Sequence, residues 1–304
     1  MIPPEKTSLL ERRARIVRAM RAFFDGQGFV EVETAVRIPA PAPEEHIDCP
    51  LLPPPVVPET ARGTPTTYLR ASPELQMKKL LASGMERIYQ IGPCFREGES
   101  GSRHNPEFTM LEWYRRGAAY GEVRDDLVAL VAAIADALPG APRLDRGIRT
   151  LRVRDAYLEY AGWDPWRGEW DADRFDFDMA TKVEPALKAA GGGVFLTDYP
   201  PQAASLAKTV DGDEPYAERW EFYFDGMELA NAFTELCDPA EQRLRFERAR
   251  AARRGLGESD YPLDEEFLGV LPAIGSAAGA ALGVDRLVML LTGAADIGSV
   301  RAPV

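Results

Sequence analysis

Two glutamates, Glu221 and Glu228, stand on either side of Asp225-Gly226, a two-residue hairpin turn signal. Such a turn sets residue 223 opposite 228 and residue 221 opposite 230, so both carboxylates lie on one face, diagonally close. Adjacent carboxylates repel unless a cation sits between them, and Mg2+, which prefers oxygen ligands and phosphates, suits that arrangement. A solvated acidic hairpin is the plainer alternative. Asn231, Phe233 and Glu235 have the opposite parity to Glu228. A straight strand separates the two sets, whereas a bulge near residue 230 brings both to one cleft. Upstream, the strand-like stretch 107–115 (EFTMLEWYR) puts Phe108, Met110, Glu112 and Tyr114 on one face by its period of two. A flat ring, an acid and a phenol together suit a binding cleft; the alternative is an edge strand with Glu112 in water. Arg286 sits in the first turn of an apolar helix, where the helix dipole disfavours a cation. Either Asp285 or another acid pairs with it, or it faces a bound anion.

These residues need elements to hold them. Apolar spacing predicts a helix over 8–25, with Arg12, Arg15, Arg18 and Arg21 forming a stripe on its other side that reads as a solvated face. FVEVETAV (29–36) alternates like a strand, and the proline-rich stretch 38–65 reads as a long irregular loop lying on the domain. Ser72-Pro73-Glu74 supplies an N-cap, a first-turn proline and an acid for a helix that stops at Gly84. Strands are expected at 87–95, 107–115 and 192–199, a hairpin at 217–235, and helices at 122–138 and 240–254. A run of small residues from Gly279 leads into VDRLVMLL, whose Val284, Leu287, Val288 and Leu291 share a helical face. The Trp-rich stretch 160–178 shows no period. Neighbouring hairpin strands with helices outside them indicate an antiparallel sheet of the α+β class.

The whole chain narrows the chemistry further. Its 304 residues carry 36 basic and 48 acidic side chains, a net charge of −12, which argues against a broad nucleic-acid surface. Two histidines exclude a His-rich zinc centre, and three scattered cysteines (Cys49, Cys94, Cys237) fit a reducing, cytoplasmic setting. No apolar run is long enough for a membrane span, and no signal peptide is evident. There is no GxxxxGK[ST] loop, and Gly191-Gly192-Gly193 lacks a dinucleotide-binding context. Phosphates, if bound, must be held by arginines and metal-bound carboxylates.

Taken together, three long stretches resemble known motifs. IYQIGPCFREGESGSRHNPEFTMLEWY resembles motif 2 of class II aminoacyl-tRNA synthetases of the lysyl type, RWEFYFDGMELANAFTEL resembles their metal- and substrate-binding hairpin, and GAALGVDRLVMLL resembles motif 3. The likeness runs over about residues 8–297 without an N-terminal anticodon-binding domain. The chain is therefore most similar to the stand-alone lysyl-tRNA synthetase paralogs that ligate a lysine-type amino acid to elongation factor P.

That resemblance implies one class II catalytic domain over 1–304, a homodimer, and ATP and Mg2+ as the reaction's requirements. It implies activation of lysine or β-lysine as an adenylate and transfer to elongation factor P, with tRNA not the acceptor. Arg96 would hold the α-phosphate and the amino-acid carboxylate, and Arg286 the far phosphates. Phe108 would stack on adenine, with Glu97 or Glu99 facing it, while His104, Asn105, Leu229 and Gly283 line the nucleotide. Glu221 and Glu228 would hold Mg2+. Glu74 beside Ser72 would take the substrate's amino group, Glu112, Tyr114 and Glu235 would surround its distal amine, and Asn231 would also line the substrate. The chain departs from the lysyl pattern at Ala35, at Glu97-Gly98-Glu99, at Ala232 and at Ala281. A tRNA-charging enzyme and a non-catalytic amino-acid-binding paralog are the alternatives.

Overall fold

A computed structural model describes residues 3–53 and 66–302. The elements run α1 (Pro4–Gly26), β1 (Val30–Glu31), β2 (Arg37–Ile38), β3 (Leu51–Leu52), β4 (Thr67–Leu69), α2 (Glu74–Ala82), β5 (Arg87–Phe95), β6 (Glu107–Arg116) and α3 (Tyr120–Ala137). They continue through β7 (Arg149–Arg152), α4 (Val153–Ala156), α5 (Ala172–Asp178), α6 (Glu184–Ala190), β8 (Gly193–Tyr199), β9 (Thr209–Val210), β10 (Tyr216–Phe224) and β11 (Met227–Thr234). The last are α7 (Pro239–Leu256), α8 (Glu265–Ile274), β12 (Ala277–Gly283) and α9 (Val284–Thr292). Nine strands form one sheet, in the order β1-β5-β6-β12-β11-β10-β8-β7 with β9 on β10. Its centre is antiparallel as expected, but β1 joins β5 and β7 joins β8 in parallel, so the sheet is mixed. Among the described residues no helix is long and apolar enough to cross a membrane.

Helices cover the sheet on both faces. On one, α1, α3 and α9 bury Phe24, Leu130 and Leu287 against Leu111 and Trp113 of β6, Trp220 of β10 and Ala280 of β12. On the other, α2, α4 and α8 pack beside Ile88, Tyr114 and Phe233. The odd residues of β6 thus feed the core, and the even residues face a cleft between α2 and the hairpin. Strand β6 lies between β5 and β12, so the edge-strand alternative for Glu112 is overturned: its side chain is 1% exposed.

Several expectations shift. The alternating stretch 29–36 pairs only at Val30–Glu31, because the chain turns away to bring Thr34 to the buried Gln90 and Arg70 side chains. The loop 38–65 is not wholly irregular: β2 and β3 flank β4 in a second, three-stranded sheet, while residues 54–65 lie outside the described residues. Helix α2 begins one residue late, yet the Ser72 hydroxyl still accepts from the Glu74 N–H at 2.9 Å. Stretch 160–178 is an aromatic clamp, in which Trp163 donates to Asp178 and lies under Arg174, and Tyr157 stacks on Phe175. In the arginine stripe, Arg12 caps the Leu291 carbonyl at the end of α9 and Arg21 pairs with Glu31, leaving Arg15 and Arg18 exposed.

Candidate active site

The hairpin places the first group of residues. Asp225 and Gly226 both take left-handed φ values, +47° and +70°, the turn that matches strand twist. Tyr223 pairs with Glu228, but Phe222 pairs with Ala230, so Leu229 is an extra residue in β11. This is the bulge that parity called for, and it changes the register: Glu221 faces Asn231, not residue 230. Past the bulge, Glu221, Glu228 and Asn231 line one cavity of about 250 Å³.

Opposite them in that cavity stand Arg96, Glu99, His104, Asn105 and Phe108, with Gly283 and Arg286 closing the end. Leu229 lines it as well. Glu97 does not: its side chain is exposed and its N–H donates to the Asp48 carbonyl. Arg286 donates to the Glu228 carbonyl at 3.0 Å and to its carboxylate at 3.2 Å, and contacts His104 Nε2 at 2.6 Å. Its acid is therefore Glu228. Asp285 instead accepts from the Thr109 N–H and pairs with Arg13 and Arg301, pinning α9 to β6 and α1. Partial burial and the Arg286 cation hold His104 below the ordinary histidine range, so its neutral ring nitrogen can accept a hydrogen bond from the guanidinium. Arg96 lies 5.2 Å over the Phe108 ring and 3.5 Å from Glu99, and its buried Nε–H has no partner. A buried unpartnered donor is costly unless a ligand completes it.

Glu228 is pushed up by burial first and by Glu221 second, as two crowded carboxylates require. Glu221 accepts from Arg219 and from Tyr223. Among the described residues no three His, Cys, Asp or Glu side chains form a metal cage. Two hard carboxylates fit Mg2+ only as partial ligands beside phosphate oxygens.

A second cavity continues inward, sharing Arg96, Met110, Asn231 and Ala281 with the first. Ser72, Glu74, Glu112, Tyr114 and Glu235 line it. Glu112 accepts from Ser72 at 2.7 Å and from Tyr114 at 2.8 Å. Glu235 is 2% exposed; Lys78, fully buried, is ion-paired to both it and Glu74, while Glu235 Oε1 has no hydrogen-bond partner. Burial, reinforced by Glu74, pushes Glu112 up to about 7; burial also lifts Glu235 to about 8 against the pull of Lys78. With Glu44, four carboxylates stand against the Lys78 ammonium and the Arg96 guanidinium, leaving two negative charges uncompensated when all are ionised.

The room for this pocket comes from β12. Gly279 lies opposite Tyr114, and a Cβ there would fall 2.2 Å from the Tyr114 ring and 2.6 Å from Glu235 Oε1. The structure thus brings together every sequence-predicted site residue except Glu97. It adds three that sequence reasoning missed: Lys78, Arg219 and Glu44. The Glu74–Lys78 spacing of four on a helix was a usable signal for the first. Arg219, two residues before Glu221 on the same strand face, was one for the second; it bonds both Glu221 and Asn231. Glu44 sits in the proline-rich loop, where no period marks it.

The buried carboxyl of Glu112 has a stability consequence. Its pKa is raised from 4.5 to about 7, so between those values the folded state binds more protons than the unfolded one. Stability contributed by this group therefore falls as pH rises through the window. Glu112→Gln should stabilise the unliganded protein by up to about 3 kcal/mol at pH 8, less at pH 5.5, while weakening amine binding. Urea unfolding at the two pH values checks it; a gap that fails to widen with pH contradicts the account.

The family model for class II tRNA synthetases (D, K and N) matches residues 1–302. The chain belongs to that family. It is 36% identical over 322 residues to a Proteus mirabilis protein named elongation factor P–(R)-β-lysine ligase, covering 99% of this chain and 96% of the relative. Relatives with the same name from Photorhabdus laumondii and Vibrio cholerae are 38% and 36% identical over 325 and 317 residues, again across 99% of this chain and 96% of theirs. Within the synthetase class, the chain belongs with these ligases.

Proposed function

We propose that this protein activates (R)-β-lysine, or its α-isomer, as an adenylate and transfers it to a lysine side chain of elongation factor P. The observation that carries the reading is the inner pocket. With its carboxylates ionised, two uncompensated negative charges, and Glu235 Oε1 unpartnered, match the two ammonium groups of a diamino acid, and Arg96 stands in the wall this pocket shares with the nucleotide cavity. Arg96 then holds the amino-acid carboxylate against the ATP α-phosphate, Phe108 stacks on adenine, and Arg286 with His104 receives the far phosphates. Bound Mg2+ would neutralise phosphate charge between Glu221 and Glu228. The substrate carboxylate attacks the α-phosphorus and pyrophosphate leaves, so the protein's work is positioning and charge neutralisation.

Helices pack on both faces of the nine-stranded sheet that carries both pockets, which supports reading the chain as one catalytic unit. Free thiols at Cys49, Cys94 and Cys237 support a cytoplasmic setting. A net charge of −12 speaks against tRNA, whose binding needs many neutralised phosphates. Incubation with ATP, Mg2+, (R)-β-lysine and elongation factor P should add one β-lysyl residue to the factor by mass spectrometry, faster than with α-lysine, and should leave lysine tRNA uncharged. Efficient tRNA charging with the factor unmodified would reverse the reading.

A further inference from the structure

The second half of such a reaction poses a problem that the nucleotide and amino-acid pockets do not solve. A lysine acceptor arrives in water as an ammonium ion, and it cannot attack until it loses a proton. A base is needed where the acceptor meets the activated carboxyl.

The carboxylates of the two pockets are nearly all engaged. Glu74 and Glu235 hold Lys78, Glu112 takes the Ser72 and Tyr114 hydroxyls, Glu221 takes Arg219 and Tyr223, and Glu228 takes Arg286. Glu99 faces Arg96. Among the described residues the exception is Glu44, whose carboxylate makes no hydrogen bond and no ion pair. Its place is unusual too. A third cavity, of about 600 Å³, lies outside the pair, walled by Trp170 and Phe175 of the aromatic clamp, by the turn at 201–206 and by α7. Glu44 lines this outer cavity, the nucleotide cavity and the amino-acid pocket alike, and so stands where all three meet. Its backbone is held: its N–H donates to the Ala42 carbonyl, and its own carbonyl accepts from the buried Arg253 at 2.8 Å. The charged groups acting on it are Glu74 and Lys78 of α2, Arg96 beyond β5 and Arg219 of β10. Burial first and Glu74 second raise its affinity for a proton.

We propose that the acceptor lysine enters through this outer cavity and that Glu44 is the base that takes its proton. The inference rests on the ligase reading above. The ammonium gives one proton to the Glu44 carboxylate, and the freed lone pair attacks the carbonyl carbon of the adenylate. As the C–N bond forms and the carbonyl–phosphate C–O bond breaks, AMP departs and its phosphate carries off the second proton from nitrogen. Because Glu44 must be ionised to act, transfer falls as pH drops through its raised pKa.

The test is single-turnover discharge of enzyme preloaded with ATP and (R)-β-lysine. Three nucleophiles are compared: elongation factor P, N-α-acetyl-lysine amide and hydroxylamine, which is largely uncharged at neutral pH and needs no base. Glu44→Gln should slow discharge to both lysine acceptors about 100-fold at pH 7. Discharge to hydroxylamine, which also reports that the variant is folded and loaded, should change far less. The deficit should shrink about tenfold per pH unit as the acceptor deprotonates in solution. Equal losses with all three nucleophiles, or no loss with the lysine acceptors, would overturn the role of Glu44. Wild-type enzyme that discharges to acetyl-lysine amide but not to the factor would instead overturn the acceptor assignment, with the Glu44 comparison still read on the small amine. Wild type that discharges to neither lysine acceptor overturns both.

Discussion

Glu235→Gln should lose amino-acid-dependent pyrophosphate exchange by a factor of about 100 or more, while ATP binding persists. Glutamine keeps the shape of the side chain but removes its charge. Lys78, buried at zero exposure, would then be left with Glu74 alone, and a substrate ammonium would lose the unpartnered Oε1 that awaits it. Breaking a buried ion pair from one side typically costs about 3–5 kcal/mol, which exceeds what a surface pair could contribute. The nucleotide cavity does not include Glu235, so ATP affinity measured by calorimetry should hold. Exchange that continues unchanged with lysine and β-lysine would remove the inner pocket as the diamine site.

Gly279→Ala should be as damaging by a different route. The new methyl would need space already occupied by the Tyr114 ring at 2.2 Å and Glu235 Oε1 at 2.6 Å. Neither can withdraw cheaply. Tyr114 is 3% exposed and its hydroxyl is tied to Glu112, and β12 is hydrogen-bonded on both sides, to β6 and β11. Overpacking of this kind costs about 1–3 kcal/mol, so the melting temperature should fall by several degrees. Amino-acid-dependent exchange should be lost more completely than stability, because the displaced groups are the ones proposed to hold the substrate. Gly283→Ala makes the contrast, since its Cβ would meet only the Arg286 side chain at 3.8 Å and should barely move the melting temperature. Similar melting shifts for the two variants would show that the clash is relieved elsewhere.

Much of the site was legible because strand parity is a local property. Period two alone set Phe108, Glu112 and Tyr114 on one face of β6. The Asp225-Gly226 turn alone set Glu221 and Glu228 on one face of the hairpin, and strands β5, β6 and β8 with helices α3, α7 and α9 follow from periodicity within their own segments. Other features depended on what lay across the sheet. Strand β12 is alanine and glycine apart from Leu282 and has no amphipathic pattern; it is a strand because β6 and β11 supply its hydrogen bonds, and it is small at Gly279 because Tyr114 and Glu235 need the space. Helix α8 hid behind Pro272 and an almost uniformly apolar run. The bulge at Leu229 was one of two paths parity left open, and the packing of the hairpin between β8 and β12 selected it. Least visible was the state of the charges. Lys78 and Lys79 are neighbours on one helix, yet Lys78 is buried and Lys79 is not, and Glu44 stands where three cavities meet whereas Glu45 lines only the outer one. A sequence names its ionisable groups, but desolvation, which decides what each of them can do, is set by the atoms that tertiary structure brings around them.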